Sequence, residues 1–301
     1  MNGSIKRVLI FLMITNFSPA QRSFGQNLKE LVVFSNLQYE KGNFELAANE
    51  YNRALFFGYK SEDRVCLKIA NCYFNLNKLE LSEQFYDRAY FGTHSDSIKA
   101  EAVLGKSFSL ILEKKFIVAL SELMNLDTLS LKSQSIKLDF LKGIAYFGLH
   151  QDKLAEESFL RCANGFADAQ GKQVISGDFE RLKRVENRFK PGTAWRLSLV
   201  LPGSGQVYSG NYREAANSAL LMGGFAYLTV SIALEYTFLE SLVVAASFFQ
   251  RYWIGGANKA EKLAFERQNR ERNSAYLSIM KILEDADKKN SKNPDCDAIA
   301  N

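Results

Sequence analysis

Proline is nearly missing from this 301-residue chain. Its four prolines, Pro19, Pro191, Pro202 and Pro294, leave residues 20–190 and 203–293 without the residue that deletes a helical N–H and fixes φ. Long helical stretches are expected as a result. Histidine is sparser still, and His94 and His150 both fall between expected helices with no sequence-level partner for acid–base work. The four cysteines are unclustered, which weighs against a zinc site and a disulfide scaffold. Cys66 and Cys72 stand six apart in one expected helix, on different faces, so they cannot bridge each other and are expected as buried thiols. No block of single-sign charge marks a nucleic-acid tail. No catalytic constellation or cofactor motif emerges, so neither an enzyme nor a cofactor is expected.

What is present is ordinary for a globular protein, with 47% hydrophobic and 24% charged residues and enough length for about two domains. The first segment differs. In residues 1–25, Lys6 and Arg7 precede an apolar run from Val8 to Phe17, followed by small Ser18 and Ala20 or Ser23 and Gly25. A run of that length matches the apolar region of a cleaved export signal and falls short of the roughly 20 residues a spanning helix needs. A frayed helix or short anchor is the alternative.

Residues 26–169 repeat. Ser35 is followed by Gly42, Phe44, Ala47, Tyr51 and Ala54; 35 positions on from Ser35, Ala70 is followed by Tyr73, Ser82, Tyr86 and Ala89. A third unit runs through Gly105, Phe108, Ala119 and Leu123, and fits if its inter-helix turn is two residues longer. The fourth restores the spacing with Gly143, Tyr146, Ala155, Phe159 and Cys162. Small residues at fixed offsets let antiparallel helices approach, and the later aromatic fills the gap toward the next pair.

This pattern, over residues 28–169, resembles the tetratricopeptide repeat. The resemblance implies a superhelix of helix pairs whose concave face binds a protein or peptide, and it implies no catalysis. On that face the family would place Asn36, Asn71 and Lys106, evenly spaced, with Tyr39 and Phe74 one turn further along. Asparagine can serve a peptide backbone as donor and acceptor, lysine can meet a carboxylate, and the aromatics add apolar area. Replacing the two asparagines is expected to weaken partner capture and leave stability nearly unchanged.

Residues 170–196 form a basic linker helix, where seven basic side chains from Lys172 to Arg196 face three acidic ones, a net of +4 within the chain's +5. These charges read either as a solvated face or as an attraction to anionic lipid headgroups. Next comes LPGSGQVYSG at 201–210. It lacks the Lys and the Ser or Thr that a phosphate loop needs after its second glycine, so no nucleotide is expected. Two apolar stretches follow, Ala215–Ala233 and Phe238–Ala257, with Tyr208, Tyr212, Tyr252 and Trp253 flanking them as interfacial aromatics do. A buried soluble hairpin is the alternative to a membrane one.

Residues 197–268 resemble a widespread bacterial two-helix membrane domain that often accompanies helical repeats. Pro202, Gly203, Gly205, Gln206, Tyr208 and Gly210 match its P-G-x-G-Q-x-Y opening; Tyr252, Gly255 and Gly256 match its closing signature. The polar Glu240, Gln250 and Arg251 of the second stretch depart from it.

The sequence therefore predicts an all-α chain: a tetratricopeptide-like superhelix over 26–169, the linker, a membrane hairpin module at 197–257, an amphipathic helix at 258–286 and a disordered tail at 287–301. The expected function is a non-enzymatic scaffold of the bacterial cell envelope, held to membrane lipids and binding a protein or peptide. The alternative is an enzyme or enzyme subunit acting on lipid or cell wall through Glu235, Glu240, Gln206 or Arg251. An export signal places the repeats in the periplasm. The basic residues Arg196, Arg213, Lys259, Lys262 and Arg267 around the hairpin argue for the opposite orientation.

Overall fold

A computed structural model of the protein describes residues 27–126, 134–235 and 238–291; the side chains of 232, 235, 238–249 and 291 lie outside that description. The expected export signal falls outside it as well. All regular structure among the described residues is helical, arranged as packed helix pairs. The chain divides into two compact units, 1–109 and 110–301.

The first unit holds α1 (Leu28–Glu40), α2 (Phe44–Phe56), α3 (Glu62–Asn75), α4 (Leu79–Gly92) and most of α5 (Asp96–Leu112). The pairs α1/α2 and α3/α4 pack internally, and α2 packs on α3. Tyr51 lies in a buried cluster with Ala47, Val65, Ile69 and Cys72, so one aromatic of the first pair fills space against the second. Tyr86 does the same one repeat later, among Cys66, Ala70, Ala89 and Ala102. Its ring crosses Gly105, where any Cβ would stand 2.3 Å from the ring. A residue larger than glycine would displace the ring.

One turn recurs. Helices end at Glu40, Asn75, Leu112, Gly148 and Gly165, and the next begins four residues later each time. The middle residue of each three-residue link, Gly42, Asn77, Lys114, His150 or Ala167, is left-handed, with φ between 54° and 78°. The N–H after it closes back on the carbonyl five residues earlier, as in Asn43 to Gln38 at 2.9 Å and Lys78 to Tyr73 at 2.9 Å. This is the hydrogen-bonded helix stop that returns the chain antiparallel. The third repeat corrects one expectation. Its turn has the ordinary length, and the two additional residues lengthen α5, whose end lies seven residues past Gly105 where α1, α3 and α7 end five past their small positions.

The second unit contains α6 (Phe116–Leu126), α7 (Ser135–Gly148), α8 (Asp152–Gly165), α9 (Ala169–Arg188), α10 (Pro191–Val200), α11 (Ser204–Tyr208), α12 (Tyr212–Glu235) and α13 (Phe238–Ser291). Gly143 again lies under an aromatic, Phe159, 2.6 Å from where a Cβ would be. On α9, Ile175, Phe179 and Leu182 turn inward while Lys183, Arg184 and Arg188 stay exposed.

The long final helix differs from the sequence expectation. The second apolar stretch and the amphipathic helix expected at 258–286 are one continuous α13 of 54 residues, and it runs on to Ser291 where a loose tail was expected from 287. Ala257, Ala260, Ala264, Ala275, Ile279, Leu283 and Ala286 form its buried stripe at helical spacing. Arg272, only 8% exposed, anchors it. Its guanidinium donates to both carboxylate oxygens of Asp152, at 2.6 and 3.0 Å, and to the Phe147 carbonyl at 2.7 Å, and lies 4.2 Å from the centre of the Phe147 ring. A buried cation is tolerated only with such complete pairing. Among the described residues no helix is long and apolar enough to cross a membrane, so the spanning hairpin expected at 197–257 is not found there.

Candidate functional sites

The groove residues lie on α1, α3 and α5 of the first unit, and each is already engaged within the fold. Tyr51 donates its hydroxyl to Asn36 Oδ1 at 2.5 Å, and Tyr86 donates to Asn71 Oδ1 at 2.6 Å. Both contacts span fifteen residues, and they recur 35 positions apart. Burial pushes both phenols above their ordinary range, so they remain donors throughout the physiological pH range. Each asparagine amide is thereby oriented, with its oxygen accepting from the phenol. Replacing either asparagine takes an acceptor from its phenol, a cost that the expectation of nearly unchanged stability leaves out.

The rule extends down the chain. Where the later position is Phe159, with no hydroxyl, the residue beside the small position is Ile144; where it is Leu123, that residue is Lys106. Sequence reasoning missed this pairing, although the co-occurrence of Asn with Tyr and of Ile with Phe was readable. Lys106 instead pairs with Asp87 at 2.7 Å. Tyr39 stacks edge-on against Phe44 and lies under the Lys68 ammonium, 5.4 Å from its ring centre. Phe74 contacts Phe108 at 5.2 Å between ring centres. Asn36, Tyr39, Asn71, Phe74 and Lys106 are all partly accessible.

The glycine motif of the second unit works differently. Gly203 is left-handed, at φ 96°, and starts the five-residue α11. Gly205 fits where a Cβ would lie 2.0 Å from the Ala194 carbonyl, so α11 rests directly on the backbone of α10. Gln206 is 1% exposed and joins three elements: it accepts from Ser198 Oγ of α10 at 3.0 Å and donates to the Gly256 carbonyl of α13 at 2.9 Å. Tyr208 accepts from the Lys190 N–H at 3.0 Å and meets Phe189 edge-on. Gly210, at φ 78°, leaves room for Arg267, which donates to the Ser209 carbonyl at 2.9 Å and covers the Phe189 ring.

The opening and closing signatures therefore meet through Gln206 and Gly256. Around Gln206, Tyr252, Gly255 and Gly256 a cleft of about 370 Å³ opens between α12 and α13, also lined by Glu214, Asn217, Ser218, Leu221, Arg251 and Lys259. Gly255 forms open floor, where a Cβ would meet nothing within 4 Å. Pro202, partly exposed, precedes the left-handed Gly203. Of the four polar groups considered for chemistry, Gln206 uses its oxygen and one amide hydrogen in helix packing, Arg251 is exposed on the cleft, and the side chains of Glu235 and Glu240 lie outside the described residues.

His94 and His150 are both exposed. Cys66, Cys72 and Cys162 are free and buried, and burial raises their thiols to about 11, 12 and 12, which suppresses thiolate chemistry. Compared with known proteins, the chain matches no family model and no curated relative.

Proposed function

We propose that the chain is a non-enzymatic helical-repeat scaffold of the bacterial cell envelope, attached to a membrane by its second unit and holding a protein or peptide on the α1, α3 and α5 face of its first. The observation that carries the binding half is the repeated Asn–Tyr pair. It fixes the orientation of two partly accessible amides at equivalent positions of successive repeats, and each keeps an NH2 group free of the bond to its tyrosine, a donor that a peptide carbonyl can use. The tetratricopeptide resemblance points to the same face.

Attachment rests on α12. Only Ala215 and Met222 of its described apolar side chains are buried, whereas Leu220 is 75% and Leu234 83% exposed, with Tyr227, Leu228 and Val230 open as well. Apolar exposure on that scale marks a lipid or protein contact. A helix held in the interfacial plane needs less apolar length than one that spans. Orientation follows from the export signal, since large domains translocate despite flanking charge.

The variant Asn36→Asp with Asn71→Asp tests the groove, because each carboxylate keeps an acceptor for its tyrosine while the donors vanish. Partner capture in crosslinked cells should fall about tenfold or more, at roughly 1 kcal/mol per lost hydrogen bond, with an unchanged melting temperature. An unchanged partner profile would place the binding surface elsewhere.

A further inference from the structure

We propose that the cleft between α12 and α13 binds the phosphate group of a phosphoester. The inference rests on the second unit's own geometry and adds a ligand class to the attachment reading. α13 presents Arg251, Gly255 and Lys259 four residues apart, on one stripe facing the cleft; α12 opposes them with Glu214, Asn217, Ser218 and Leu221. Glu214 pairs with Lys259 and so closes one end. At the other end Arg251 has no ion pair among the described residues. The three charged groups of the lining leave one positive charge uncompensated.

Between the ends the floor is glycine. Nothing occupies the space above Gly255, and Gly256 lies close under Ser218 Oγ, 3.3 Å from a Cβ position. Gln206 supplies a second observation. It is almost wholly buried, it lines the cleft, and its Nε2 carries two hydrogens of which one reaches the Gly256 carbonyl. The other is a fixed amide donor with no acceptor among the described residues. An arginine fork, a buried amide donor, an asparagine and a serine suit tetrahedral oxygens better than a planar apolar group. Leu221 and Tyr252 make the apolar end, and the exposed Leu228 follows two turns along the same stripe of α12. A phosphoester with an apolar tail could lay its tail there, and a soluble one would use the polar floor alone.

The test uses purified full-length protein and two probes. Glycerol phosphate is titrated while tryptophan fluorescence is followed, Trp253 being adjacent to Tyr252. Flotation compares vesicles of phosphatidylcholine alone with vesicles of phosphatidylcholine and phosphatidylglycerol in equal parts. Wild type should respond saturably to at least one phosphoester probe. Arg251→Gln and Gly255→Leu should each weaken that response roughly tenfold, and the second fills space without meeting a neighbour, so both should melt like wild type. A preference for anionic vesicles that both variants lose assigns a lipid headgroup; saturation by glycerol phosphate without that preference assigns a soluble phosphoester. No saturable response to either probe, or variants that respond as wild type does, overturns the proposal. Failure to bind neutral vesicles counts against α12 attachment and leaves the cleft result to stand separately.

Discussion

Single residues carry the repeat more sharply than composition suggests. Asn36 and Tyr51 form one unit of information, because a buried hydroxyl requires an acceptor and a partly exposed amide oxygen supplies it. Asn36→Ala should cost about 1–3 kcal/mol by stranding that hydroxyl. Adding Tyr51→Phe should recover most of the loss, since removing both partners resembles the Ile144 and Phe159 combination already present in the fourth repeat. Urea unfolding of the two single variants and the double variant checks this. Additive losses would show that the hydrogen bond contributes nothing. Gln206 illustrates the same point in the second unit: in the sequence it is one letter of a glycine motif, and in the fold it ties α10, α11 and α13 together.

Elements are legible where a repeating physical constraint writes them. Small residues under aromatics mark the helix pairs because backbone approach and ring volume leave few alternatives, as Gly143 under Phe159 shows. The stops are less visible. Gly42 advertises its left-handed turn, but Lys114, His150 and Ala167 occupy the same conformation without the residue that favours it. Sequence alone therefore puts the two additional residues of the third repeat in a turn, whereas they extend α5. Lys114→Gly and His150→Gly should each stabilise by about 0.5–1 kcal/mol through relief of that backbone strain. Thermal melts should move upward for both; a fall in either would mean the native side chain makes a contact worth more than the strain. The continuity of α13 is hidden for another reason. Its apolar stretch and its charged stretch differ in composition, while the buried stripe from Ala257 to Ala286 passes through both at one period. Likewise the cleft gathers residues 206 to 259, and no local pattern announces that Arg251 and Gln206 share it.

At the scale of the whole molecule, neutral buried groups dominate the ionisable core. Cys66, Cys72, Cys162, Tyr51 and Tyr86 are all raised by burial above their ordinary values of 9.0 and 10.0. Each stays neutral in the fold while the unfolded chain ionises first. Their stabilising contribution is complete below the unfolded values and is lost as pH rises through them toward the folded ones. Denaturant midpoints should be flat between about pH 7 and 8 with respect to these groups and fall above about pH 9; a midpoint that rises there would contradict the assigned burial. Everything proposed for the first unit turns on whether a partner is held against the α1, α3 and α5 face. Photocrosslinking in intact cells decides this, with the reactive side chain placed at exposed Lys68 on α3 in one protein and at exposed Phe91 on α4 in another. A discrete crosslinked species is expected from position 68, lost when Asn36→Asp and Asn71→Asp are added, and none from position 91. The same species from both positions, or one from position 91 alone, would contradict the assignment of that face.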